Sequence, residues 1–183
     1  MNVRRTPLLM GIVNITTDSF SDGGLFLDPF RAIDHALRLV DDGASIIDVG
    51  GESTRPGSDP VDEATERSRV LPVIRGLASQ TAAAISIDTR KPSVARAAVE
   101  AGASIWNDVS ALTYAPESLS AAAALSCRIV LMHAQGDPKT MQDNPKYDDV
   151  VKEVRDHLAM RVAAAEAAGV DRARLIVDPG VGF

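Results

Sequence analysis

Six short β-branched runs, each ending in polar residues, alternate along this 183-residue chain with amphipathic or Ala-rich segments. The runs are Leu8–Val13, Ser45–Gly50, Ala84–Asp88, Ser104–Asn107, Arg128–His133 and Arg174–Asp178. Helical patterns lie between them near Pro29–Asp42, Asp62–Gln80, Pro92–Ala101, Pro116–Leu125 and Asp148–Ala168. Gly43, Gly102 and Gly169 fall where C-terminal glycine caps belong, and Pro92 falls where a first-turn proline belongs. Near-continuous apolar strands alternating with helices require a parallel sheet covered by helices. Asn14, Asp48, Asp88, Asn107, His133 and Asp178 all stand at the C-terminal ends of their runs. A barrel gathers those ends at one mouth, whereas an open sheet concentrates its ligand groups at one switch point. The pattern therefore predicts an α/β fold of the (β/α)8 TIM-barrel type. A closed barrel takes about eight strands and roughly 250 residues. The expectation is a single domain over residues 1–183 holding about six βα units, truncated before the last two strands.

Composition limits the function classes. A net charge of −6 gives no sequence-wide basic footprint for nucleic acid or an anionic membrane surface, although a local Arg or a cation can still hold a small anion. The single cysteine, Cys127, excludes an intramolecular disulfide framework and suits a reducing compartment. The apolar part of the N-terminal stretch, Leu8 to Val13, is too short for a secretory signal core. No run approaches a membrane span. These features predict a cytoplasmic protein.

The first strand opens into NITTDSFSDGG, a loop longer and more polar than a strand-to-helix joint needs. It offers Thr16, Thr17, Ser19 and Ser21, the carboxylates Asp18 and Asp22, and the aromatic Phe20. The second strand opens into DVGGESTRPGS. There Gly50-Gly51 permits close backbone approach, and Thr54 with Arg55 suits a phosphate or pyrophosphate, which Arg grips bidentately. Asp88 reads equally as a ligand group or as the N-cap of the helix entered through Lys91-Pro92. Trp106 reads as packing, and His133 as a structural hydrogen-bonding group or a catalyst. Asp178 is fixed by the Pro-Gly-Val-Gly turn after it.

Carboxylates only accept hydrogen bonds, whereas Asn both donates and accepts. Two Asp and one Asn around a small pocket suit a flat heterocycle bearing an amine, a ring N–H and a carbonyl. HExxH, paired CxxC, P-loop and G-x-S-x-G motifs are absent from the sequence. The donor types favour a hard Mg2+-type cation held by oxygen and substrate phosphate.

Five segments in order, NITTDSFSDGG, DVGGESTRPGS, SIDTRKPSVARAAVEAGASIWNDVSAL, LMHAQGDPKTMQDNPKYDDV and LIVDPGVGF, resemble the dihydropteroate synthase family, the folate-pathway enzymes inhibited by sulfonamides. The resemblance implies a (β/α)8 barrel. It also implies condensation of 6-hydroxymethyl-7,8-dihydropterin diphosphate with p-aminobenzoate, giving 7,8-dihydropteroate and pyrophosphate. Asp88, Asn107 and Asp178 match the family's pterin-binding positions, and Asn14 matches the position that helps hold Mg2+ with the diphosphate. Thr54 and Arg55 match groups near the leaving group and the second substrate. Phe20, Ser21, Asp22 and Pro56 match loops that close over the aminobenzoate site. Asp22 is expected to stabilise a carbocation-like pterin methylene, with Arg55 on the leaving oxygens.

Departures accompany the match. Thr17 stands where the family usually has Pro, and Ala134 where Met is common. The family's seventh and eighth strands, with their Ser-Arg-Lys and Arg-x-His segments, have no counterpart after the sixth run. The chain alone is therefore expected to be inactive or very weak unless a second polypeptide completes it. The family's usual dimer contacts lie in helices beyond the sixth strand, so a homodimer is implied only for full-length members. Rival readings are the pterin-binding domain of a corrinoid methyltransferase and an inactive pterin-binding fragment. The DSFSDGG and ESTRPGS loops argue against the first, whose chemistry has no diphosphate to expel.

Overall fold

The computed structural model describes residues 7–16, 28–53, 60–135 and 146–181. In chain order they form β1 (Met10–Asn14), α1 (Pro29–Asp41), β2 (Ile46–Gly50), α2 (Glu63–Ala78), β3 (Ala84–Asp88) and α3 (Pro92–Glu100). These are followed by β4 (Ile105–Asp108), α4 (Ser118–Ala124), β5 (Arg128–Met132), α5 (Val150–Ala167) and β6 (Leu175–Asp178). The strands pair in parallel in the order β1-β2-β3-β4-β5-β6, without a reversal. A doubly wound sheet must reverse its strand order at a switch point. This monotonic order instead matches an incomplete (β/α)8 barrel.

Local chemistry sets the helix ends. Asp28, Asp62 and Asp149 each accept a backbone N–H of the first turn, from Phe30, Thr65 and Lys152 at 2.9, 2.9 and 3.0 Å. The expected glycine caps are borne out: Gly43, Gly102 and Gly169 have φ of 108°, 121° and 101°. α4 starts two residues after its sequence pattern, because Ser118 turns its hydroxyl back to the Ala115 N–H at 3.2 Å. No helix among the described residues is long and apolar enough to cross a membrane.

Each strand divides its residues between two faces. Val13, Ile47, Val49, Ile85, Ile87, Trp106, Ile129 and Leu131 face the helices and join one buried core with Ile33, Val70, Ile74, Leu77 and Val94. Burying such aliphatic side chains contributes about 1.5–3 kcal/mol each. The alternate residues face the barrel interior, and they carry the polar groups. On the outermost described strands the inward residues Ile12 and Ile176 remain 51% and 38% exposed.

Trp106 is fully buried, as its packing role predicted, and its indole Nε1 donates to the Thr89 carbonyl at 2.7 Å. That bond holds the backbone immediately after Asp88. Trp106→Phe keeps the ring bulk and strands the carbonyl, so unfolding in urea should show a loss of about 1–3 kcal/mol.

Candidate active site

The register levels four strand ends. Asn14 pairs with Gly50, Gly50 with Asp88, and Asp88 with Asn107. One position in this row is closely bordered by side chains. A Cβ on Gly50 would stand 3.1 Å from Asn14 Oδ1 and 3.5 Å from Asp88 Oδ2. Glycine thus leaves a cradle between an amide oxygen and a carboxylate. The layer below holds Ile12, Asp48, Ser86 and Ile105. Asn107 reaches over the small Ser86 of β3, and its Nδ2 donates to Asp48 Oδ2 at 3.0 Å. β6 is staggered, with Val130 opposite both Asn107 and Ile176. Asp178 therefore stands two residues further along, on the same inward face.

The local ambiguity at Asp88 is resolved by its neighbour. Lys91 occupies the α3 N-cap position and caps without a side-chain hydrogen bond, so Asp88 is spared for the mouth. Asp178 is fixed as expected: its Oδ1 accepts from Gly180 N at 2.8 Å, and its carbonyl accepts from His133 N at 2.9 Å. Gly180 has φ +68° and lies against the His133 carbonyl, where any Cβ would collide. Asp108, next to Asn107, does structural work. Its carboxylate accepts from Ser110 N, Ser110 Oγ and Leu112 N at 2.8, 2.7 and 2.9 Å. These bonds hold Ala111 and Leu112 at φ of 50° and 63°, while Arg161 Nε donates to Ala111 O at 2.8 Å. His133 turns away from the mouth and meets His157 edge-on, ring centroids 5.0 Å apart. It lines an apolar groove of about 890 Å3 between α5 and β6, with Val150, Val154, Leu158 and Val177. That groove lies on the helix-facing side and does not contain the polar layer.

The mouth is acidic and partly buried. Burial pushes the Asp88 carboxyl well above the ordinary carboxylate value, and the charges of Asp48, Glu66, Asp108 and Glu52 add to the effect. Burial also raises Asp48, with Ser86 and Asn107 offsetting part of the rise. Asp48 Oδ1 and Ser86 Oγ are both buried and make no hydrogen bond among the described residues.

A buried lysine offsets this charge. Lys91 Nζ lies 2.6 Å from Glu52 Oε2 and 2.5 Å from Glu66 Oε2, its side chain 4% exposed. Burial disfavours the ammonium, but the two carboxylate partners outweigh it and raise its pKa. Burial likewise pushes Glu52 up, and Lys91 with Arg90 overcomes it and holds Glu52 below its usual value. Glu66 stays raised because burial exceeds what Lys91 returns, and its Oε1 has no partner among the described residues. Arg90 reaches Glu52 at 3.2 Å and lies over the Tyr114 ring, 4.6 Å from its centroid. Arg69 Nη1 donates to Gly51 O at 2.9 Å. Together these contacts pin the start of the second strand-end loop to α2 and β3.

Of the residues singled out from the sequence, Asn14, Asp88, Asn107 and Asp178 come to the inward face at the same end of the sheet. Phe20, Ser21, Asp22, Thr54, Arg55 and Pro56 lie outside the described residues. The sequence reading missed the Glu52–Lys91–Glu66 cluster and gave Asp48 no role. Glu66 carried a signal, being an acid on the same helix face as Val70, Val73, Ile74 and Leu77.

Among the described residues, no group of three His, Cys, Asp or Glu side chains could hold a metal. The Gly50 cradle, with Asn14 Oδ1 on its rim, fits a hard cation that takes one amide oxygen and completes its shell with phosphate and water.

This parallel barrel segment gathers acidic and amide side chains at the C-terminal ends of its strands, the end at which barrel folds build their sites. Residues 10–183 match the family described as pterin binding enzyme, and the chain belongs to that family. It is 48% identical over 177 residues to dihydropteroate synthase of Escherichia coli (strain K12), covering 97% of this chain and 62% of that protein. Xanthomonas albilineans dihydropteroate synthase, solved with 4-aminobenzoic acid, superposes with TM-score 0.88 at 52% identity, covering 97% of this chain and 62% of that one. The Yersinia pestis enzyme, solved with a sulfonamide drug, superposes with TM-score 0.91 at 43% identity, covering 97% and 64%. The chain thus spans a little over three-fifths of these relatives' length.

Two outcomes follow from the charge balance. Lys91→Met leaves two carboxylates facing each other in a buried site and should cost about 3–5 kcal/mol in urea unfolding. Adding Glu66→Gln should return part of that loss. For Asp88, the folded state holds the proton more tightly than the unfolded chain, so ionisation costs stability. That cost is absent below the ordinary carboxylate pKa and grows as pH rises through the raised one. Asp88→Asn should therefore melt higher than the parent at pH 7.5, by about 0.5–2 kcal/mol, with the gap closing toward pH 4.

Proposed function

We propose that this chain forms the pterin-binding part of a dihydropteroate synthase, which joins 6-hydroxymethyl-7,8-dihydropterin diphosphate to p-aminobenzoate and releases pyrophosphate. The carrying observation is that Asp88, Asn107 and Asp178 share the inward face at one end of the sheet, an acceptor-rich lining inside a barrel mouth. A 2-amino-4-oxo pyrimidine edge presents an amine and a ring N–H side by side, and such donors are what buried acceptors require. Relatives named as dihydropteroate synthase support the reading. One of them, from Xanthomonas albilineans, has been solved with 7,8-dihydropteroate and superposes with TM-score 0.83 at 48% identity.

In this reading Asp88, Asn107 and Asp178 hold the pterin ring and exclude water around it. Asn14 would hold Mg2+ together with diphosphate oxygens, and the cation would supply charge neutralisation on the leaving group. Thr54 and Arg55 bind the diphosphate side, while Phe20, Ser21 and Pro56 border the aminobenzoate. Asp22 stabilises positive charge as it develops on the pterin methylene. The chemistry needs no protein nucleophile, because the amine of the second substrate attacks.

Fluorescence titration of the chain with 6-hydroxymethylpterin tests the binding part directly. Asp178→Ala should weaken binding by about tenfold or more, and unchanged binding would remove Asp178 from the site. Given pterin diphosphate, p-aminobenzoate and Mg2+, the mass-verified chain should form dihydropteroate slowly at best. Supplying the remaining segment of a relative should raise that rate. Methyl transfer from methyltetrahydrofolate in place of condensation would overturn the reading.

A further inference from the structure

We propose that Asp48 is a positioning residue that sets which end of the Asn107 carboxamide faces the ligand, and so makes the mouth select a heterocycle edge rich in hydrogen-bond donors. The inference rests on the pteridine reading and deepens it. An asparagine side chain is two-ended: turned one way it offers an acceptor oxygen, and turned the other way two donors. Its orientation is decided by whatever it meets first. Here it meets Asp48, whose side chain is almost wholly buried, in the layer directly below the mouth. A carboxylate can only accept, so the amide nitrogen turns toward it, as the 3.0 Å contact from Nδ2 to Oδ2 records. The Asn107 oxygen is then directed elsewhere, with Asp88 as its neighbour in the same row.

Three features make this a built arrangement. Asp48 and Asn107 lie on strands separated by β3, and they touch because β3 places the small Ser86 between them. Asp48 Oδ1 is buried and without a partner among the described residues. Leaving such an atom unpaired is costly, roughly 1–3 kcal/mol, and a core built only for stability would place an apolar residue there. Finally, Asp48 and Asp88 present carboxylates on one face of adjacent strands, which disfavours a ligand edge that itself carries acceptors. A donor at position 48 would let the amide turn over, and Asn107 would then show N–H groups to the ligand.

The test compares calorimetric affinities of the chain for a 2-amino-4-oxo pteridine and for the matched 2,4-dioxo pteridine, in the parent and in Asp48→Leu. The parent should prefer the amino-oxo compound, and Asp48→Leu should lose that preference by roughly tenfold. A general loosening of the fold would weaken both ligands and leave their ratio unmoved. An unchanged ratio in Asp48→Leu overturns the proposal and leaves the pteridine reading standing. A parent chain that binds neither pteridine overturns both. A second measurement needs no Asp48 variant to fold. In the 15N-labelled parent, the Asn107 side-chain amide signals, assigned by their absence in Asn107→Asp, should be shifted downfield and slow to exchange. Fast exchange at random-coil positions overturns the proposal.

Discussion

A strand in a parallel barrel must satisfy two surroundings at once, because successive residues point to opposite faces. In this chain that constraint separates apolar from polar chemistry within four- and five-residue strands. Ile47, Val49, Ile85, Ile87, Ile129 and Leu131 go to the helices. Asp48, Ser86, Asp88 and Asn107 go to the interior. A one-residue slip of β2 or β3 would bury Asp48 or Asp88 among the helices and turn isoleucines toward the interior. Register is therefore specified by the cost of the wrong pairing as much as by the gain from the right one. The correct register places Asn14, Gly50, Asp88 and Asn107 level without further help.

Carboxylates gathered near one end of a sheet repel, and the fold answers them from below and beside. Lys91 brings one positive charge between Glu52 and Glu66, and Asn107 commits an N–H to Asp48. Neither measure neutralises Asp88, which keeps its raised pKa. The site thus retains an unmet demand for hydrogen-bond donors. A ligand that brings donors relieves it, and this links the instability of the mouth to its selectivity.

Much of this was legible in the sequence because it is local. Strand–helix alternation, glycine caps and polar strand ends are all short-range patterns, and each led to the correct element. Asp88 was not decidable locally, since an Asp just ahead of a helix entered through Lys91-Pro92 reads equally well as a cap. Only the placement of Lys91 at the cap position removed that role. The contacts that sequence reading missed join distant positions. Glu66 and Lys91 are 25 residues apart, and Asp48 and Asn107 are 59 apart. Such partners are chosen by strand order and register, which no window of neighbouring residues contains. Glu66 on an apolar helix face could still have been flagged as an acid in need of a buried partner.

The same reasoning separates two carboxylates that adjoin the site and resemble each other in sequence. Asp88 and Asp108 both end a strand, both are raised by burial, and both precede a polar turn. Asp108 accepts three hydrogen bonds from the turn that follows it, so its capacity as an acceptor is largely used up by the fold. Asp88 faces the open cradle at Gly50. Its oxygens are therefore available to a ligand, while those of Asp108 are spent on holding Ala111 and Leu112 in a left-handed conformation. Position at a strand end nominates a residue for function. What decides the matter is whether the backbone has already claimed its hydrogen bonds.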